Sequence, residues 1–319
     1  MAPTKSSSKR QIRRKGLTND SRSLGRPHPR ENAPSQSPHY FRRGTGLSTS
    51  RIRDIHDNPA ATAALRAIRD QSALSSRGTA KGALLEESFA VFRALSEGFP
   101  TGEVRSGVLD GKLLQRTSIA TRRSIWMALR HRYFSVNSYV TRSLAAATRF
   151  GAESIEYKSL AYLYYAVRDR AVFELVTGPI WDKWRTGSSS LEPSDFFSFV
   201  ETLSAEHDSV KHWRESTRIR LGRNIFAALR DFGLLVGTQK KSIQQPGVSA
   251  ETLFHLLSIL DAEGLRGGSL LAAPDWRLFL LTETQVAGHM VELARNGWIR
   301  FERSGRIVIL EMHRTLEIE

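Results

Sequence analysis

From Leu84 onward, apolar residues return every three or four positions along most of this chain, a spacing that predicts a succession of amphipathic helices. Leu84, Leu85, Ser88, Phe92 and Leu95 form the first stripe, which stops at Gly98-Phe99-Pro100. The next stretch, TGEVRSGVLDGKLLQ, reads as loop-rich, with room for one more turn of helix. Ser118 is placed to cap a helix running to Phe134, with Ile125, Trp126, Leu129 and Tyr133 inward. Arg116, Arg122, Arg123, Arg130 and Arg132 flank that face. A smaller helix over 138–150 is closed by Gly151, and an aromatic-rich one follows with Ile155, Leu160, Leu163, Tyr164 and Val167 on its face. Tyr157, Tyr162 and Tyr165 surround that face; an aromatic stripe at helical spacing reads as core rather than as a base-stacking platform. Pro179 predicts a break or kink in the next helical pattern, 186–190 a loop, and Pro193 the first turn of another helix.

The most regular stretch is 213–235. Trp213, Thr217, Leu221, Ile225, Ala228 and Phe232 make one apolar stripe, and Gly233 ends it. Arg214, Arg218, Arg220, Arg223 and Arg230 lie mostly off the stripe. Residues 236–248 form a polar break and a plausible subdomain boundary. Ser249 then caps a helix with Leu253, Leu256, Leu257 and Leu260 inward. Thr282 and Gln285 match a capping box; Val286, Met290 and Leu293 face inward and Gly297 stops that helix. Two apolar runs, 298–301 and 306–310, flank Arg303-Ser304-Gly305 and predict a β-hairpin.

These patterns predict a mainly α fold: a compact helical protein with helix-turn-helix elements and a small C-terminal β-hairpin, winged-helix-like. Three parts are expected: a disordered basic tail over 1–80, in which 60–68 could form a short helix; a helical domain over 81–235 holding the helix-turn-helix-like segment; and a C-terminal winged-helix-like subdomain over 236–319.

Charge sharpens this picture. The net charge is +15, but residues 1–80 carry 16 Lys/Arg against 5 Asp/Glu, so the folded part is only mildly basic. The tail reads either as an electrostatic arm along phosphates or as a solvated extension. Its Arg/Ser-rich start has the composition of an organellar transit peptide but lacks an amphipathic apolar side, and there is no secretory hydrophobic segment. Cys is absent, which removes disulfides, thiolate zinc sites and cysteine nucleophiles and fits a reducing cytoplasm. No apolar run approaches the ~20 residues that span a bilayer.

Catalytic chemistry is not legible. Asp231-Phe232-Gly233 spells the kinase metal-binding triplet, but the accompanying glycine-rich loop, strand lysine and catalytic-loop aspartate are missing. There is no phosphate-binding G-x-x-x-x-G-K-[ST] loop and no H-E-x-x-H zinc motif. His207 and His212 lack the further ligands a metal would need, and Glu86-Glu87 are adjacent and so diverge on a helix. The candidate chemistry is instead phosphate contact by arginine: Arg122, Arg123, Arg130 and Arg132 on one helix with Arg116 just ahead of it, Arg218, Arg220 and Arg223 on the long one, and Arg300, Arg303 and Arg306 near the hairpin tip. The competing readings are two packed helices with exposed arginines and a hairpin that covers a helical core.

The run W-x-x-S-T-R at 213–218, its following arginines and Ala-Leu-Arg-Asp-Phe-Gly-Leu-Leu at 228–235 resemble the signature helix of the BrxA family, a core component of BREX-type bacterial phage-defence systems. Leu84 to Ser88 with Phe92, Thr121 to Ile125 through Arg132-Tyr133, Leu163 to Tyr165 with Arg168-Asp169 and Trp181-Lys183-Trp184, and Trp276 to Phe279 with Gly297-Trp298 resemble further family segments in one order, about 81–312. The resemblance implies a non-enzymatic double-stranded DNA binder working beside BREX subunits that supply methyltransferase and ATPase activities; from the missing cysteines and motifs, a cytoplasmic protein without metal or cofactor is expected. The rival functions are an assembly adaptor for acidic partner subunits and a basic RNA binder.

Overall fold

The computed structural model describes residues 59–69, 74, 81–115, 118–135 and 138–316. Arg116 and most of the basic tail lie outside the described residues. The fold is mainly helical, as the periodicity predicts. In chain order come α1 (Pro59–Arg66), α2 (Leu85–Ser96), α3 (Thr101–Asp110), α4 (Ile119–Leu129), α5 (Ser138–Ala147), α6 (Ile155–Arg168), α7 (Arg170–Leu175) and α8 (Trp181–Arg185). After them follow β1 (Ser190–Leu191), α9 (Pro193–Glu206), α10 (Asp208–Lys211), α11 (Glu215–Asp231), β2 (Leu235–Val236) and β3 (Lys241–Ile243). The chain continues with α12 (Ala250–Ala262), α13 (Gly267–Leu271), α14 (Glu283–Arg295), β4 (Ile299–Ser304) and β5 (Ile307–Met312).

Two helices sit at the centre because they are apolar nearly all round, which leaves no side for water. In α6 every residue from Ser159 to Val167 is buried, and in α12 every residue from Thr252 to Ala262. Hydroxyls register the two: Ser159 and Thr252 hydrogen-bond at 2.8 Å, and the Ser249 side chain caps α12 by accepting from the Thr252 amide. Tyr162 donates to the Leu278 carbonyl at 3.0 Å, and burial pushes its hydroxyl pKa well up. The tyrosines of α6 are therefore core, not a stacking platform.

Several elements depart from the sequence reading. Residues 101–110 form a full helix, α3, because Val104 and Val108 lie one turn apart and are both buried; Gly111, at φ 81°, ends it. Pro179 does not break its helix. A π turn over 176–180 absorbs it and carries α7 into α8, since a longer-range backbone ladder tolerates one missing donor. Residues 236–248 hold a strand: β3 pairs antiparallel with both β1 (Ser190↔Ser242) and β2 (Leu235↔Ile243), and Ile243 is buried. The folded part also starts earlier than Lys81. In and just after α1, Leu65 and Ile68 are fully buried, Arg66 donates to the Ala262 carbonyl at 2.6 Å, and Arg69 pairs with Glu263 and Asp275.

The C-terminal helix forms as read, and the hairpin forms with its turn displaced from Arg303-Ser304-Gly305, because pairing extends to Arg303 and Ser304. Thr282 and Gln285 make the capping box of α14, and β4 and β5 pair from Ile299↔Met312 to Ser304↔Ile307 around the two-residue turn Gly305-Arg306.

Candidate nucleic-acid interface

α3 and α4 pack together as a helix pair joined across 111–118. Along α4 and the π turn over 130–134 that continues it, the helical period separates two sets of residues. Arg122, Ile125, Leu129 and Arg132 recur at steps of three or four and turn inward. Ile119, Arg123, Met127 and Arg130 recur on the opposite side and are exposed, Met127 by 59%.

The inward arginines are structural. Arg122 donates from Nε to the Leu109 carbonyl at 2.8 Å, so it closes the C-terminal end of α3. Its guanidinium lies 3.2 Å from where a Cβ on Gly111 would stand, so the glycine is required by the close approach as well as by its positive φ. Arg132 is 1% exposed. It donates to the carbonyls of Ala83 and Lys81 at 3.0 and 2.8 Å and stacks 4.5 Å from the Tyr165 ring centroid. The expectation that Arg132 contacts a partner is therefore corrected: the residue continues the stripe of Ile125 and Leu129, and a π turn over 130–134 carries it into the core.

Arg123 and Arg130 are exposed, and their guanidinium groups have no hydrogen-bond or carboxylate partner among the described residues. No acidic residue occurs in α4. On α11 the same division holds. Arg218, half-buried, donates to the Trp213 carbonyl at 3.2 Å, whereas Arg220 and Arg223 are exposed and unpartnered among the described residues. Gly222, between them, faces inward; a Cβ there would meet the Phe196 ring at 2.7 Å, so α9 and α11 approach closely at this point.

The hairpin differs. Arg300 pairs with Glu302 at 2.8 Å and Glu311 at 3.5 Å, and the hydrogen bond to Glu302 is the chief cause of its raised pKa. Arg303 pairs with Glu283, at the first turn of α14, at 2.9 Å. Of the hairpin arginines only Arg306, in the turn, has no carboxylate partner among the described residues. The exposed side of α14 adds Glu292, which holds His289 at 3.0 Å.

One buried polar network had no sequence signal beyond a histidine in an apolar helix. The His255 Nδ1 lies 2.6 Å from the hydroxyls of both Tyr139 and Tyr164, and its Nε2 faces Glu251 at 3.2 Å. Glu251 accepts two hydrogen bonds of 2.7 Å from Arg314, which stacks on Phe254 and Trp298. Burial lowers the His255 pKa and so favours the neutral ring; the Glu251 side chain offsets part of this. Burial also pushes Glu251 up, but hydrogen bonds from His255 and Arg314 outweigh it and hold the carboxyl down at about 2. The network ties the segment after β5 to α12. Among the described residues no three His, Asp or Glu side chains come together as a metal site, and no helix is long and apolar enough to cross a membrane.

This chain is similar to known proteins over the helical body. A protein described as "BREX protein BrxA" from Bacillus cereus (strain H3081.97) is 22% identical over 169 residues, which is 52% of this chain and 82% of that protein. An uncharacterized protein from Magnetospirillum magneticum, solved by crystallography, superposes with a TM-score of 0.50 at 13% identity, over 66% of this chain and all of that one; at this identity the likeness concerns the fold alone. The BrxA family matches residues 74–259, from before α2 to the last turns of α12. Trp276 to Phe279 and Gly297-Trp298, part of the resemblance read from sequence, lie beyond that match, as do α14 and the hairpin. With more than half of its length matched, the chain belongs to the BrxA family.

Proposed function

We propose that this protein is a non-enzymatic double-stranded DNA-binding component of a BREX-type phage-defence system, facing the duplex with α4. The observation that carries the reading is the outward stripe of α4. Ile119, Arg123, Met127 and Arg130 combine two unpartnered cations with two exposed apolar side chains, with no acidic residue on the helix. Cations of this kind contact phosphates, and apolar side chains between them suit the thymine methyl at a groove floor. Arg220 and Arg223 on α11 offer a second free cationic face. The name of the Bacillus relative supports the BREX assignment, and with it other BREX subunits, a methyltransferase and an ATPase among them, as partners in the cytoplasm.

The test is a salt titration of duplex binding by the full chain and by a chain shortened to begin at Asn58, which keeps α1 in its place in the core. Retained affinity with a clear salt slope in the shortened chain supports binding by the helical body. Binding by the full chain alone moves the activity to residues 1–57 and overturns the assignment to α4. A second reading, an adaptor that docks a partner protein through the hairpin, is favoured by the exposed apolar residues Ile307 and Ile309 beside neutralised arginines. Loss of a BREX subunit in pull-down, with duplex binding intact, after Ile307→Ser separates it from the first.

A further inference from the structure

An open cleft of about 490 Å³ lies where the start of α3, the end of α4 and the start of α5 meet. Thr101 and Arg105 reach it from one face of α3, four residues apart. Trp126 and Arg130 reach it from α4, again four apart, and Ser138 and Thr141 from α5. Phe134 completes a floor with Trp126, their ring centroids 5.2 Å apart, and Phe92 stacks beneath Phe134 at 5.6 Å. Among the described residues no carboxylate lines the cleft, and neither the Arg105 nor the Arg130 guanidinium has a hydrogen-bond or carboxylate partner. The hydroxyls of Thr101 and Ser138 are likewise unpartnered there.

Two free guanidinium groups and two free hydroxyls over an apolar floor make a site for a doubly coordinated anion. The floor keeps water from one side of the charges and so strengthens them. Arg130 also closes the outward stripe of α4, one turn beyond Met127. We propose that this cleft seats a phosphate group between Arg105 and Arg130, and that in the complex it is one backbone phosphodiester of the duplex, which fixes the register of α4. This rests on α4 being the duplex-facing helix. Arg105 then acts as a positioning residue for that helix, although it belongs to a different one.

The experiment compares duplex binding against salt for the full-length protein, Arg105→Ala and Arg123→Ala, with thermal midpoints as a control for folding. The expected result is that each variant lowers the log–log salt slope by about 0.9, the value of one phosphate contact on B-DNA, and weakens binding roughly three- to tenfold at moderate salt whatever the duplex sequence. If Arg123→Ala shows the loss and Arg105→Ala does not, the seat is overturned and the reading of α4 stands. If neither changes the slope, the reading of α4 fails and the seat with it. Two further arms identify the source of the phosphate. A neutral methylphosphonate walked along the duplex should weaken the full-length protein most at one linkage, and at that linkage weaken Arg105→Ala less, because only Arg130 then remains to lose the contact. Inorganic phosphate that raises the thermal midpoint of the full-length protein but not of Arg105→Ala, with the duplex slope unchanged, would overturn the diester assignment in favour of a free phosphate.

Discussion

The outward face of α4 and the C-terminal hairpin carry similar numbers of arginines and differ in what those arginines already hold. On α4, Arg123 and Arg130 meet no carboxylate among the described residues. On the hairpin, Glu302, Glu311 and Glu283 engage Arg300 and Arg303. A phosphate approaching α4 meets free cations. One approaching the hairpin must first displace a carboxylate and faces its repulsion afterwards. Exposed pairs of this kind contribute little to stability, about 0–1 kcal/mol, so their main effect is on the field a partner meets. In the hairpin, partnering and not position in the chain decides which arginines are open to a phosphate.

The contrast between buried and outward arginines is the one to break first. Arg132→Ala removes the donor from the buried Ala83 carbonyl and from the half-buried Lys81 carbonyl, at roughly 1–3 kcal/mol for each group left unsatisfied. Chemical denaturation should show a loss of about 2–4 kcal/mol, while the folded protein keeps its duplex affinity. A loss of affinity at unchanged stability would return Arg132 to the interface. The next largest effect is expected of Arg123→Glu with Arg130→Glu, which should weaken duplex binding by on the order of 10- to 100-fold and lower the salt slope by about 1.8, with an unaltered thermal midpoint. The hairpin gives the converse. Arg300→Ala should change duplex affinity less than about twofold, as expected for a cation already engaged. Glu302→Gln with Glu311→Gln, which frees Arg300, should increase affinity by roughly two- to fivefold at low salt. An equal loss from Arg300→Ala and Arg123→Ala would erase the distinction between the two faces.

Most of the fold was legible, because helix periods, caps and stops are local. The capping box at Thr282 and Gln285, the cap at Ser249 and the stop at Gly233 formed where the pattern placed them, and the hairpin formed with its turn at Gly305-Arg306 in place of Arg303-Ser304-Gly305. The elements that escaped rest on weak local signals and distant contacts. In α3 the stripe is only Val104 and Val108 among glycines and polar residues, so its helical state depends on packing against α2 and α4. Strand β3 is three residues long and exists by pairing with two segments far apart in the chain. The site was legible in part. The same period that identified the core of α4 places Arg122 and Arg132 on its stripe, and Arg218 likewise falls three residues before Leu221; a stricter use of that spacing would have separated them from Arg123, Arg130, Arg220 and Arg223. The ion pairs of the hairpin had no such signal, because Glu283 and Arg303 meet only once α14 and β4 are folded together. Arg105 was hidden with the helix that carries it.

Arg314 is a third kind of arginine, engaged like those of the hairpin but with a partner next to a buried ring, and pH distinguishes it. The folded Glu251 carboxyl titrates at about 2, below the ordinary 4.5, so its contribution is fully present above pH 4.5 and is lost as pH falls toward 2. His255 is also depressed, from 6.5 and chiefly by burial; the unfolded chain therefore takes up a proton that the folded one refuses, and stability begins to decline below pH 6.5. Thermal midpoints from pH 7 to 3 should fall in two stages, the first below 6.5 and the second below 4.5. In Glu251→Gln the second stage should shrink, because the Arg314 clamp no longer depends on a titrating group. The difference between the two proteins should be largest above pH 4.5 and close as pH falls. Glu302→Gln, which removes an exposed carboxylate of the hairpin, should leave the pH profile of stability almost parallel to that of the unaltered chain. Equal flattening by Glu251→Gln and Glu302→Gln would mean that burial beside His255 does not set the two kinds of ion pair apart.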